Sequence, residues 1–260
     1  MKSLFVAATG MDAQQTRIAV ISNNLANITT TGFKAGRAIF EDLLYETVNE
    51  PGAESSTGVT RPAGLQIGSG AKIVSTPSIF NQGVLEQTGR EFDVAIEGNG
   101  FFQVQLPNSE IGYSRGGALA VNADGELVTQ AGDTILPSVS GLTGVTNLEI
   151  GVDGTVSGIP QGQTDVTQLG TINVFIFPNP AGLKSIGRST YLSNAASGES
   201  QQVTPGTQGS GTLRQGFLEG SNVNVAEELI RMVLAQRAFE MNSKVVRTSD
   251  EMMNAMNQMR

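Results

Sequence analysis

Apolar residues recur every seven positions near the start of the chain. Two such lines, three positions apart, are Leu4, Met11, Ile18 and Leu25, and Ala7, Gln14, Ile21 and Ile28, with Gln14 as a polar interruption. This spacing predicts an amphipathic helix with a narrow seam of the coiled-coil type. We expect the helix to end near Asn27, because β-branched residues and then Gly32 follow.

The C-terminal segment repeats the pattern. One seven-residue line, widened by Leu229 and Val233, is Val225, Met232, Phe239, Val246 and Met253. A parallel line is small or polar, so that another helix can approach closely: Ala235, Asn242, Ser249 and Met256. Asn224 as N-cap and Glu227 three residues later predict the start of a long helix.

The two end helices have seams too narrow to bury a long helix in a core of its own. We therefore expect them to pair with each other and then with other chains; the alternative is that each packs on its own globular core. The assembly interface predicted from these seams is Leu4, Met11, Ile18, Ile21 and Leu25 of the first helix, and Val225, Leu229, Met232, Phe239, Val246 and Met253 of the second.

The middle of the chain alternates short β-branched or aromatic runs with Asn-Gly and Asp-Gly turns. This pattern is typical of hairpins, and it predicts an α+β fold whose central, mainly antiparallel β domain covers 91–204 as a sandwich or irregular barrel. Residues 1–30 and 222–260 form the helical domain, and 31–90 and 205–221 are connectors. Residues 40–45 are expected to form a helical turn or short helix, and the segment near 46–65 a flexible loop or an extended hairpin that docks on a neighbouring chain.

Composition excludes several kinds of chemistry. The 260 residues include no His, Cys or Trp, so the chain has no imidazole base, thiolate or Cys/His metal site. We therefore predict no catalytic, cofactor-binding or metal-binding residues and no cofactor. The net charge of −8, carried mainly by the middle of the chain, argues against nucleic acid as a partner. No apolar run is long enough to cross a membrane, and we expect residues 1–30 to be mature structure rather than a cleaved leader.

Two other function classes stay open at this point. One is a secreted module whose β domain binds a glycan or peptidoglycan, with the helices as an anchor. The other is a carboxylate-based hydrolase, although neighbouring acids such as Glu227 and Glu228 point to different sides of a helix and flank one bond poorly.

Three motifs occur in order along the chain: ISNNLAN (21–27) with TGFK (31–34), DVAIEGNGFF (93–102), and SNVNV (221–225). Together they resemble the signatures of the bacterial flagellar rod and hook axial proteins, and FEDLLYET (40–47) with GLQIG (64–68) resembles the distal-rod type. The residues that carry the resemblance are Asn23, Asn24, Leu25, Asn27, Gly32, Phe33, Gly98, Gly100, Phe101, Asn222 and Asn224.

The resemblance implies a non-enzymatic subunit of the basal body, exported by the flagellar type III apparatus without a cleaved signal peptide. Copies would assemble helically into a hollow, rigid shaft that spans the periplasm, transmits torque from motor to hook and serves as an export channel. Implied partners are other copies, proximal rod and hook proteins along the axis, the surrounding ring bushing, and a rod cap or muramidase during assembly. A hook-type or proximal-rod protein is the alternative within the group.

Overall fold

The structure is a computed structural model that describes residues 2–50, 54–56, 59–60, 64–163 and 165–259, with the backbone alone described at 54–56 and 59–60. The chain divides into two compact units. The first consists of Met1–Leu25, Gly36–Pro77 and Val225–Arg260, and the second of Ala26–Ala35 and Ser78–Asn224.

Two long helices belong to the first unit. Helix α1 covers Lys2–Ala26 and helix α2 covers Val225–Gln258, with 25 and 34 residues. Both predicted terminal helices are confirmed. Helix α2 begins directly after Asn224, and its first turn carries Glu227 and Glu228, which suit the positive end of the helix dipole.

The two helices contact each other in antiparallel orientation. The Ser3 Oγ lies 3.4 Å from the Ser249 Oγ, and the Asn24 Nδ2 lies 3.3 Å from the Glu228 Oε2. The residue numbers add to the same value in both pairs, so one register holds along the contact. In that register the last residues of α2, 250–258, extend past the start of α1 by about 12 Å at ~1.5 Å per residue.

The first unit also contains three antiparallel two-stranded ribbons: β1 (Ile39–Asp42) with β6 (Ala71–Ser75), β2 (Tyr45–Asn49) with β5 (Leu65–Gly68), and β3 (Glu54–Ser56) with β4 (Val59–Thr60). Within the segment near 46–65, residues 51–53, 57–58 and 61–63 lie outside the described residues. The predicted helical turn at 40–45 is wrong. Phe40 pairs with Ile73 across a ladder, and such long-range pairing overrides a weak local helical preference.

The second unit is built from antiparallel strands. Its strands are β7 Leu85–Gln87, β8 Val94–Glu97, β9 Phe102–Gln105, β10 Ile111–Ser114, β11 Leu119–Val121, β12 Leu127–Thr129, β13 Thr134–Leu136, β14 Thr146–Ile150, β15 Thr155–Ile159, β16 Thr167–Thr171, β17 Val174–Ile176, β18 Lys184–Gly187, β19 Thr190–Leu192, β20 Gln201–Val203, β21 Thr212–Gln215 and β22 Phe217–Glu219. A seven-stranded sheet has the order β11–β12–β13–β9–β10–β19–β18, a three-stranded sheet has the order β14–β15–β16, and three pairs are β17–β20, β21–β8 and β22–β7. The predicted α+β fold with a mainly antiparallel β domain is confirmed.

Two apolar clusters fill the second unit. The larger is aliphatic apart from Phe102, and its fully buried members include Ile135, Ile172 and Leu213. The smaller is aromatic, with edge-to-face contacts such as Tyr113 to Phe177 at 4.7 Å between ring centroids. Because each cluster draws on strands far apart in sequence, the unit is held by long-range packing rather than by local hairpins.

The aliphatic cluster gives a direct test of this packing. Ile172→Ala, at a fully buried position, should lower the free energy of unfolding by about 2–5 kcal/mol, because it removes contacts and leaves a cavity. Ile111→Ala, at a position 47% exposed, is the matched control and should cost less than about 1 kcal/mol. Urea unfolding followed by near-ultraviolet circular dichroism measures both, and equal costs would contradict the assignment of this core.

Candidate assembly interface

Small and polar side chains form the contact between α1 and α2. Ala7 and Ala13 of α1 and Ala235 of α2 are buried, and a Cβ atom added to Gly10 would lie 2.7 Å from the Asn242 Nδ2. Ala235, Asn242 and Ser249 of the small and polar line of α2 lie at this contact. Larger side chains in these positions would push the two helices apart.

A buried polar cluster fixes one end of the helix pair. The Asn24 amide accepts a hydrogen bond from the Gly36 N–H at 2.8 Å and donates to the Gly36 carbonyl at 2.9 Å and to the Glu228 carboxylate at 3.3 Å. Arg231 donates to Glu228 at 2.9 Å. Because an unpaired buried carboxylate is costly, this cluster favours one register of the two helices over others.

The predicted interface residues lie on more than one side of the helices. Ile21 is buried, whereas Leu4, Met11, Ile18 and Leu25 are half-buried. On α2, half-buried positions are Met232, Val246 and Met253, and exposed positions are Val225 at 42%, Leu229 at 45% and Phe239 at 37%.

A second apolar line on α2 escaped the sequence reasoning. The side chains of this line are all exposed, with exposed fractions from 46% at Val245 to 81% at Met259. Its members are Ile230, Leu234, Met241, Val245, Met252 and Met259. The signal was available, because Leu234 and Met241 are seven residues apart, as are Val245, Met252 and Met259.

The second unit contains a buried ionic cluster that the sequence did not reveal. Glu219 accepts hydrogen bonds from the Lys34 Nζ at 2.7 Å, from the Arg115 Nε at 2.9 Å and from the Gly83 N–H at 2.9 Å. Lys34 also donates to the Asn81 carbonyl, and Arg115 donates to the carbonyls of two family-signature glycines. All three charged side chains are almost completely buried, so nearly every donor must have a protein partner.

The pKa values of this cluster follow from burial and charge together. Burial alone raises the pKa of the Glu219 carboxyl, but the charges of Arg115 and Lys34 and the hydrogen bonds it accepts bring that pKa below its ordinary value. Burial and the charge of Arg115 lower the pKa of the Lys34 ammonium, against the opposing effect of Glu219. The carboxylate is therefore held ionised as the centre of the cluster.

Several residues of the signature motifs support this cluster. Gly32 has a φ of 68° and donates its N–H to the Glu219 carbonyl at 2.8 Å, and an added Cβ would lie 2.8 Å from the Arg115 backbone. Gly100 has a φ of 139°, and an added Cβ would lie 2.0 Å from Val174. Asn222 accepts from the Ala35 N–H at 2.8 Å and donates to the Ile79 carbonyl at 2.8 Å.

The remaining signature residues have different environments. Phe101 is buried in the aromatic cluster, Gly98 has a φ of 118°, and Asn27 accepts a hydrogen bond from the Thr30 hydroxyl at 3.2 Å. Phe33 is half-buried, while Asn23 and Asn224 are exposed. The signature thus marks turns and packing positions of the second unit as well as helix ends.

The described part of the chain offers no arrangement of three or more His, Cys, Asp or Glu side chains that could hold a metal ion. Within the same residues, neither helix combines the length and apolar character needed to cross a membrane. The helices expose large apolar side chains, among them Phe5 of α1 at 59% and Met241 of α2 at 64%.

Three family models match the chain in order. Residues 4–34 match the model described as flagella basal body rod protein, 95–158 the flagellar hook protein FlgE/F/G D1 domain, and 214–259 the flagellar basal body rod FlgEFG protein C-terminal. The chain is 48% identical over 257 residues to the flagellar basal-body rod protein FlgG of Buchnera aphidicola subsp. Acyrthosiphon pisum, with 99% of each chain covered.

This chain belongs to the flagellar basal-body rod protein family. The flagellar basal-body rod protein FlgG of Borreliella burgdorferi is 42% identical to it, over 100% of this chain and 99% of the relative. The flagellar basal-body rod protein FlgG of Bacillus subtilis is 35% identical to it, over 97% of each chain. Each of the three matched segments of the rod-family chain contributes one member of the buried ionic cluster: Lys34, Arg115 and Glu219.

Removing the central charge of that cluster should destabilise the second unit of this rod-family protein. Glu219→Gln leaves two buried cations without a counter-charge, so the free energy of unfolding should fall by about 3–5 kcal/mol. Glu86→Gln, on the paired strand β7 but exposed, removes the same charge and should change it by less than about 0.5 kcal/mol. Urea unfolding at neutral pH measures both, and equal effects would refute the role assigned to Glu219.

Acid should weaken the same cluster. Since the pKa of Glu219 is lower in the folded chain than its ordinary 4.5, the unfolded chain binds more protons between the two values. The stabilisation is complete above that ordinary pKa and is lost as the pH falls through the folded-state pKa. Urea midpoints measured from about pH 6 to pH 3 should therefore fall more steeply for the natural chain than for Glu219→Gln, and parallel curves would exclude Glu219 as the titrating group.

Proposed function

We propose that this chain assembles helically with copies of itself into the flagellar distal rod, through the exposed faces of α1 and α2. The chain is a structural subunit of the distal rod in the flagellar basal body, a role that its family membership supports directly. In this proposal the helices form the inner tube, the connectors a middle layer and the acidic β domain the outer surface of a hollow shaft. The shaft transmits torque to the hook and serves as an export channel.

The observation that carries the proposal is the uncovered apolar surface of α2. Large apolar side chains that are at least one-third exposed include, beside the six of the second line, Val225, Leu229, Val233, Phe239 and Met256. Soluble monomers rarely leave so much continuous apolar surface in water, and such patches mark interaction sites. A contact between unlike faces of identical chains, if it does not close into a ring, produces a filament.

The helix contact itself supports an inner domain of the coiled-coil type. The buried residues of α2 at the contact lie at multiples of seven residues from one another: Glu228, Ala235 and Ser249. A seven-residue repeat on one helix that meets a second helix in constant register is the pattern of a supercoiled pair. Antiparallel pairing within one chain would then build the wall of the tube from two-helix units.

The ribbon near 46–65 supplies a further contact with neighbouring copies. Strands β2 and β5 pair with each other, and their exposed apolar side chains include Tyr45, Val48, Leu65 and Ile67. Lys2 of α1 forms an ion pair with Glu46 of β2. An extended ribbon with apolar side chains can lie against the next copy and oppose bending, which would make the rod straight and stiff.

Membership of the family also implies assembly with other rod and hook components. We infer that proximal rod and hook proteins bind along the axis, that a rod cap or muramidase takes part in assembly, and that the ring bushing surrounds the acidic β domain. The role is mechanical rather than enzymatic. The net charge of −9 in residues 31–221 favours solvent contact on that outer surface.

Electron microscopy of purified protein tests the proposal. The natural chain should form tubes at high concentration, and Phe239→Asp should abolish them, because a buried carboxylate opposes packing of the apolar face. Asn254→Asp, at an exposed polar position of the same helix, adds the same charge and should still assemble. Near-ultraviolet circular dichroism should be unchanged in both variants, since the β domain stays folded. A natural chain that remains monomeric at every concentration would overturn the proposal.

A further inference from the structure

Helix α2 carries two different long faces. The face that contacts α1 contains the buried Glu228, Ala235 and Ser249. A second face, turned away by roughly 100° at 3.6 residues per turn, contains the exposed apolar line described above. We call this second face the outer stripe and define it as Ile230, Leu234, Met241, Val245, Met252 and Met259.

The outer stripe is long and carries no charge of its own. From its first to its last residue it extends about 43 Å at ~1.5 Å per residue. The exposed fractions are 61% at Ile230, 58% at Leu234, 64% at Met241 and 57% at Met252. A stripe whose members recur at four and seven residues has the spacing that another helix requires, so its occupant is a helix rather than a small molecule.

Helix α1 has an exposed face of matching period and opposite character. The α1 outer face consists of two lines with seven-residue spacing, and its members are Ala8, Gln15 and Ser22, and Asp12, Ala19 and Ala26, all of them exposed. Four of the six are Ala or Ser, so most of this face carries small side chains. Large side chains of one helix pack well against small ones of another.

We propose that the outer stripe of α2 packs on the α1 outer face of a second copy of this chain. The two faces cannot meet within one chain, because α1 and α2 of the same chain already contact each other through other faces. Each copy therefore offers one outer stripe and one α1 outer face, and a contact between these unlike faces can repeat from copy to copy. The inference rests on the proposed function, and it names which two surfaces make the polymer.

Charge supports this choice of partner. Asp12 is the single acidic residue of α1 and lies on the α1 outer face. The exposed Lys244 lies along one edge of the outer stripe, whereas Arg237 on the same edge is paired with Glu240 at 2.9 Å. An exposed acid on the α1 outer face and an exposed lysine beside the stripe favour contact between the two faces over contact of stripe with stripe.

Two charge-matched substitutions test the stripe. Leu234→Glu places a carboxylate in the outer stripe, and Gln236→Glu adds the same charge two residues away, at an exposed position on the other side of α2. Leu234→Glu should raise the protein concentration needed for tube formation by at least about tenfold, a change of ~1.4 kcal/mol, while Gln236→Glu should leave it unchanged. Equal helicity by circular dichroism of the two variants shows that α2 remains formed.

The outcomes separate this inference from the proposed function. If the natural chain forms no tubes, the proposed function fails. If the natural chain and Leu234→Glu form tubes at the same concentration, the proposed function stands and the outer stripe is not the interface.

Cross-linking tests the occupant of the stripe. Because the natural chain has no cysteine, single substitutions give unique thiols: Met241→Cys on one preparation and Ala8→Cys, Gln15→Cys, Ala19→Cys or Ser22→Cys on another. The two preparations are mixed, allowed to assemble and treated with a short bismaleimide. Met241→Cys should then form cross-linked dimers with at least one α1 variant. The control variant Gln236→Cys should form cross-linked dimers with none of them. Dimers of Met241→Cys only with itself, or none with any α1 variant, would overturn the assignment of the α1 outer face.

Discussion

The close approach of α1 and α2 is the constraint on which the rest of the structure depends. That approach needs Gly10, alanines and serines at the contact, and side chains of this size bury little apolar area. The isolated pair therefore gains only modest stability from its own interface, and the polar cluster of Asn24 and Glu228 contributes mainly by selecting the register. The larger apolar residues of α2 are displaced to other faces, where one chain cannot cover them.

A second constraint acts in the unit that contains the β-sheets. Glu219 precedes α2 closely in sequence, and Lys34 follows α1, yet both meet Arg115 in one buried cluster. The stretch that leaves the first helix and the stretch that enters the second are thus tied to one place, and Asn222 adds hydrogen bonds to the Ala35 and Ile79 backbones. A single ionised carboxylate organises chain segments that are far apart in sequence.

The sequence was informative where the signal was periodic. Both helices and their small contact line follow from seven-residue spacing, and the antiparallel β domain follows from turns between short alternating runs. The buried cluster could not be foreseen, because Lys34, Arg115 and Glu219 lie in runs without a shared local pattern and meet only through tertiary packing. The 40–45 segment was misread for a similar reason: its state is decided by pairing with 71–75, not by its own residues. The outer stripe of α2 lay within reach of periodicity and was obscured by the stronger line beside it.

The unequal lengths of the paired helices have a mechanical consequence. The final turns of α2 run beyond the beginning of α1, so the two members of a pair do not stop at the same level. If such pairs stack end to end in a column, the gaps between successive α1 helices and those between successive α2 helices lie at different levels. Each gap in one row of helices then lies beside a continuous helix of the other row. A pull or twist applied to such a column would pass each gap as shear between neighbouring helices.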